Sequence, residues 1–157
     1  MLSLADFLKE KTEEWQSVFS KTKSVRDEWV RDVNQLVDDM EKWLRAADQN
    51  EILDIDVEEV EKREEKIGYY CVRGMTIRLG PREVRIKPVA RFVIIAFLNQ
   101  LQLSPQGRVD ITNGEKQYLL YHLHDPAGKR WISVSPTREV RDFDQQTFES
   151  AIQDLLA

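Results

Sequence analysis

The chain has 157 residues, enough for one domain or for a domain with an appended helical element. Hydrophobic residues make up 41% and charged residues 32%, which excludes a wholly disordered chain and favours long exposed helices. One cysteine excludes a disulfide framework, and no apolar run reaches the roughly 18 residues of a membrane helix. The charged N-terminus lacks the apolar stretch of a signal peptide, so we expect a cytoplasmic protein without membrane attachment.

Charge and turn-forming residues divide the sequence into two parts. Residues 1–66 carry 11 basic and 19 acidic side chains, whereas residues 67–157 carry 12 and 9. Glycine first occurs at Gly68 and proline at Pro81, so the first part lacks both of the strongest breakers of regular structure. We therefore predict an acidic helical arm over residues 1–67 and an antiparallel sheet domain over residues 68–157.

The arm has the pattern of an amphipathic helix. Apolar residues recur at steps of three and four between Leu4 and Ala47, and Lys11 and Thr22 fill two gaps in the series. One helix of this length would extend about 67 Å, too far to be covered by the sheet domain. The arm must therefore either fold back on itself or pair with another chain. If it folds back, residues 20–24 are the expected point of reversal, because serine and threonine compete with the helical backbone for hydrogen bonds. Two alternatives remain open: an αα-hairpin with helices near residues 4–20 and 25–47, or one long helix.

Three tryptophans, Trp15, Trp29 and Trp43, lie 14 residues apart in the arm. On a continuous helix their indoles fall close to one stripe. Core packing or self-association is the first interpretation, since tryptophan buries a large apolar area. The second is an aromatic surface for a protein partner. These three residues are the candidate interaction site.

Residues 48–66 are predicted to hold a short extended segment followed by a second helix. The segment at residues 52–57 alternates apolar and acidic side chains. Asp56 followed by Glu59 fits an N-cap, which predicts a helix over residues 57–66. The many glutamates of that helix are interpreted as a solvated face.

Turn signals divide the second part into five or six short strands. They lie at Gly80-Pro81, residues 104–107, Asn113-Gly114 and residues 125–128. Asn-Gly favours a two-residue type I′ turn, and short connections favour antiparallel neighbours. The apolar run from Phe92 to Leu103 is compatible with a strand and with a buried helix, and both alternatives remain open.

A C-terminal helix completes the predicted fold. Its apolar residues follow helical spacing, Asp144 is the expected N-cap, and Phe143 and Phe148 are placed for a hydrophobic staple. The predicted fold class is α+β: the acidic helical arm, a 5–6-stranded antiparallel meander and a closing helix.

A candidate anion-binding surface lies between Arg73 and Arg91. Basic side chains alternate with apolar ones there, so one face of the predicted hairpin is basic. Such a face fits nucleic-acid phosphates, although the net charge of −5 argues against a polyanion. The alternative is compensation by acidic groups of the same protein. The candidate residues are Arg78, Arg82, Arg85 and Lys87.

The chain offers one weak candidate metal site. His122 and His124 are two apart in a predicted strand, so they share a face and resemble a pair of metal ligands. Asp110 on the neighbouring strand is the candidate third ligand. A pH-sensitive interface and an ordinary exposed or partly buried pair are the alternatives. Cys71 is interpreted as a small buried side chain.

No motif of the chain identifies a biochemical function or a family. The nucleotide-binding, metalloprotease, hydrolase and dithiol motifs are all absent, and no cofactor is predicted. We favour a non-enzymatic protein-interaction or oligomerisation module that uses the arm for self-association or for a protein partner. Nucleic-acid binding through Arg73–Arg91 is the alternative. A metal- or ligand-dependent enzyme around His122 and His124 is the third.

Overall fold

The computed structural model describes residues 2–91 and 105–157, so the run from Phe92 to Leu103 lies outside the described residues. The described chain has two helices and a seven-stranded antiparallel sheet. The helices are α1 (Leu4–Ala47) and α2 (Gln145–Leu156). The strands are β1 (Asp54–Glu64), β2 (Gly68–Leu79), β3 (Arg82–Ala90), β4 (Pro105–Thr112), β5 (Gln117–Asp125), β6 (Gly128–Val134) and β7 (Val140–Asp142).

The α+β class is confirmed, and the sheet is a meander in which each strand pairs with the next in sequence. The strand number is seven rather than five or six, because β1 and β7 flank the predicted strands. The sheet therefore begins at Asp54, before the glycine that marks the predicted boundary. Within the described residues no helix is long and apolar enough to cross a membrane.

Helix α1 is continuous, so of the two alternatives for the arm the single long helix is observed. Ser3 caps its N-terminus by accepting a hydrogen bond from the Asp6 amide. Residues 20–24 do not interrupt the helix, because serine and threonine lower helix propensity by only about 0.5 kcal/mol each and no glycine or proline is present. Asp48 ends the helix, and its carboxylate accepts from the amides of Ile52 and Leu53.

The predicted helix over residues 57–66 is wrong, since these residues belong largely to strand β1. β1 pairs with β2 along its whole length, with Val57 opposite Met75 and Val60 opposite Val72. β1 is an edge strand, and its glutamates are mostly exposed. Charged side chains are tolerated on an edge strand, where they oppose pairing with another chain.

The main core lies between one face of the sheet and the two helices. The C-terminal half of α1 contributes Trp29, Val33, Met40 and neighbouring apolar residues, and α2 contributes Phe148 and Leu155. Gly107 in β4 lies against Trp29, and a Cβ atom at Gly107 would fall on the indole ring. Residues 105–107 lie in strand β4 rather than in the expected turn. Because Gly107 has no side chain, the Trp29 ring fits against the strand.

The C-terminal helix agrees with its prediction in detail. Asp144 accepts from the Thr147 amide at 2.8 Å, and Thr147 completes a capping box. The rings of Phe143 and Phe148 are 6.1 Å apart in edge contact, as a hydrophobic staple requires.

The Asn113-Gly114 hairpin is present, but its turn is not of type I′. Gly114 has a positive φ of 92°, whereas Asn113 does not. The Asn113 side chain instead accepts from the amides of Glu115 and Lys116. The strands are joined by a loop of residues 113–116 that this side chain caps, whereas a type I′ turn has a two-residue loop.

Candidate functional site

The principal candidate site is the uncovered N-terminal half of α1. Helical residues before Ser24 lie clear of the sheet and are almost all exposed. Six large apolar side chains project from them and are between 46% and 72% exposed. We call this set the arm stripe: Leu4, Phe7, Leu8, Trp15, Val18 and Phe19.

The arm stripe lies on the same helix face as the buried residues of α1. At 100° per residue, Leu8 and Trp15 fall within about 60° of Trp29 and Met40 around the helix axis. One apolar face therefore runs along the whole helix. The sheet covers its C-terminal half and leaves its N-terminal half in solvent.

The three predicted tryptophans have different environments. Trp15 is 69% exposed in the arm stripe, whereas Trp29 is 1% exposed in the core. Trp43 is partly buried against Phe148 of α2, with ring centroids 5.6 Å apart. Of the three tryptophans, Trp15 is therefore the one that a partner can reach. The tryptophan spacing did not point to the other apolar residues of the arm stripe.

An apolar groove lies at the other end of α1. It has a volume of about 230 Å³ between the helix end and α2, and Trp43, Leu44, Leu53 and Ile152 line it. Ile52 at its rim is 66% exposed. This groove is separated from the arm stripe by the buried half of the helix.

Arg78 of β2 and Arg85 of β3 lie among acidic residues on the sheet face away from the helices. The Arg78 guanidinium contacts Asp56 and Glu83, both at 3.1 Å, and Arg85 contacts Glu83 at 2.7 Å. The hydrogen bond to Asp56 raises the pKa of Arg78, and the one from Arg85 lowers the pKa of Glu83.

The other two residues of the candidate anion-binding surface, Arg82 and Lys87, lie in β3 together with Arg85. Arg82 and Lys87 are exposed, and Lys87 lies opposite Asp110 in the register of β3 and β4. The contacts of Arg78 and Arg85 with acidic side chains favour charge compensation within the protein. Nucleic-acid binding by this surface stays a prediction.

His122 and His124 do not form a site with Asp110. His122 is buried, His124 is exposed, and Asp110 pairs across strands with Leu119, which places it on the opposite sheet face from His122. Arg108 holds the Asp110 carboxylate through two bonds of 2.7 and 2.8 Å. Within residues 2–91 and 105–157, no group of three or more metal-ligating side chains comes together.

His122 belongs instead to an aromatic and charged cluster where α1 meets the sheet. Its ring lies 4.6 Å from the Trp131 ring, and its Nε2 is 3.8 Å from a carboxylate oxygen of Asp32. Burial lowers the pKa of His122, and the Asp32 carboxylate opposes that shift. Lys129 contacts both Glu28 and Asp32, and its hydrogen bond lowers the pKa of Glu28. The cluster anchors α1 just beyond the uncovered half.

Cys71 is exposed on β2, contrary to its interpretation as a buried side chain. It pairs across strands with Glu61. The face alternation of β2 places it away from Tyr70 and Val72, which are buried.

No family model matches the chain, and no curated protein or solved structure shows significant similarity to it.

Proposed function

We propose that this protein is an oligomerisation module that associates through the arm stripe of α1. The single observation that supports this proposal is the continuation of the core-forming helix face into solvent. Contiguous exposed apolar surface of this kind marks interaction sites in soluble proteins.

The energetics favour a covered arm. Each large apolar side chain contributes about 1.5–3 kcal/mol when it is transferred from water to a packed environment. The arm stripe carries six such side chains, and three of them are aromatic. A helix segment without tertiary contacts is also marginally stable, so association would stabilise the helical form of residues 4–24.

The test is the mass of the purified protein as a function of concentration. Analytical ultracentrifugation of the wild type should show a mass that rises from 18.5 kDa towards a multiple of that value. Trp15→Asp should raise the dissociation constant by about tenfold or more, because it places a charge in the contact surface. Trp15 is exposed, so the substitution leaves the core intact.

Ile52→Asp is the matched control, since Ile52 has similar exposure but lies by the groove at the other end of α1. It should associate like the wild type. A strict monomer at all concentrations, or a Trp15→Asp variant that associates normally, would refute the proposal.

A further inference from the structure

We infer that the partner of the arm stripe is a second copy of this chain, paired with it in antiparallel orientation. The inference rests on the proposed function and adds the identity, number and direction of the partner. Two independent observations support the inference: the charge distribution along the arm, and a lysine on the same helix face as the arm stripe.

The exposed arm has opposite charges at its two ends. Residues 1–14 hold four acidic and two basic side chains, whereas residues 15–23 hold two basic and none acidic. Two arms in parallel would place like charges side by side. Two arms in antiparallel orientation place the acidic end of each beside the basic end of the other, which favours that direction.

Lys11 supplies the second argument. It lies on the helix face of the arm stripe, one turn from Phe7, with its ammonium 5.8 Å from the Phe7 ring centre. In a parallel in-register pair, equivalent positions meet along the contact, so Lys11 would face its own copy. Two desolvated ammonium groups at the centre of the contact would repel each other.

An antiparallel overlap of the whole stripe removes this repulsion. The three-and-four spacing of the exposed helix face runs from Leu4 to Thr22. Aligning Leu4 of one copy with Thr22 of the other places Leu8 opposite Val18 and Lys11 opposite Trp15 of the other copy. The lysine then meets an indole instead of a second lysine, and indole is the aromatic ring that binds cations best. The contact occurs twice because the pair is symmetric.

Disulfide cross-linking tests the direction. Leu8→Cys and Val18→Cys are made separately in a Cys71→Ser background, which removes the exposed native thiol. In an antiparallel pair, mild oxidation should cross-link an equimolar mixture of the two variants and neither variant alone. In a parallel pair, each variant alone should cross-link.

Charge reversal tests whether the opposite charges at the two ends of the arm favour the antiparallel direction. Lys21→Glu with Lys23→Glu makes the arm acidic at both ends and should raise the dissociation constant by about tenfold at low salt. Adding Asp6→Lys and Glu10→Lys to the same chain reverses both ends, and this variant should recover the wild-type affinity. A parallel pair predicts no loss of affinity in the first step, because each end of the arm then faces its own copy in the wild type and in both variants.

The outcomes separate this inference from the proposed function. A concentration-dependent mass combined with cross-linking of each variant alone, with no cross-link at all, or with more than two copies would overturn the antiparallel pair and leave association through the arm standing. A monomer would overturn both.

Discussion

At the scale of single residues, His122 gives the protein a specific dependence on pH. Burial lowers its pKa in the folded state below the usual 6.5, whereas in the unfolded chain the imidazole titrates normally. Below pH 6.5 the unfolded state therefore binds the proton more readily, and folding loses stability as the pH falls towards the lowered pKa. The groups that face the ring are Asp32, Glu28, Lys129 and Arg91.

We expect the urea midpoint of the wild type to fall between pH 7.5 and pH 5.5. His122→Gln should show a smaller fall over that interval, because the group that titrates there is gone. His124→Gln is the control, since His124 is exposed on the same strand and should leave the pH dependence of the wild type in place. An unchanged pH dependence in His122→Gln would contradict this assignment.

The tryptophans show what single residues in a sequence do not reveal. Trp15 and Trp29 have the same spacing and similar neighbours in sequence, yet one is exposed and the other is buried. Trp29 packs against Gly107, which lies far away in the chain and leaves space for its ring, whereas Trp15 lies beyond the end of the sheet. Periodicity identified the helix face correctly, but which part of it is covered depends on where the sheet lies.

At the scale of elements, α1 is tied to β2 by a polar contact within an apolar interface. The Asn34 side chain accepts from the Arg73 amide at 2.9 Å, and the Arg73 guanidinium contacts Asp38 at 2.6 Å. The hydrogen bond from the Arg73 amide directs a strand N–H to the helix instead of to a neighbouring strand. Its loss would leave a partly buried donor without a partner.

Asn34→Ala should therefore lower the free energy of unfolding by about 1–2 kcal/mol. Gln35→Ala is the neighbouring control. Gln35 is exposed and bonds only within the helix to Asp39, so its loss should change stability by less than about 0.5 kcal/mol. Chemical denaturation of both variants checks this, and equal effects would show that the contact with β2 contributes little.

The elements differ in how well the sequence predicts them. The cap and staple around Asp144 depend on neighbours in sequence, so local chemistry was sufficient there, whereas the hairpin at Gly114 was located correctly but its turn type was not. Strand β1 was missed because Glu58 and Glu61 favour a helix, whereas its pairing with β2 depends on residues further along the chain. The sequence predicted that one long helix would exceed what the sheet domain can cover, but only the fold shows that the uncovered part is the N-terminal half with the arm stripe.

At the scale of the whole molecule, the proposed pair has a definite shape. The arms overlap over the stripe, so the two sheet bodies lie at opposite ends of the overlap. Residue 25 of one copy then lies about 36 Å along the helix axis from residue 25 of the other, at 1.5 Å per residue.

Small-angle X-ray scattering of the associated protein should show two maxima in its pair-distance distribution, one within a body and one between bodies. Trp15→Asp at the same concentration should show the first maximum alone. A single compact maximum for the associated wild type would mean that the bodies contact each other directly.

Because α1 passes from the arm into the body without interruption, the rotation of one body relative to the other is set by helical phase. Inserting one residue after Ser24 would turn the body by about 100° about the arm, whereas inserting seven would nearly restore its orientation and move it about 10 Å outward. The unbroken helix thus fixes both the distance between the two bodies and their relative rotation.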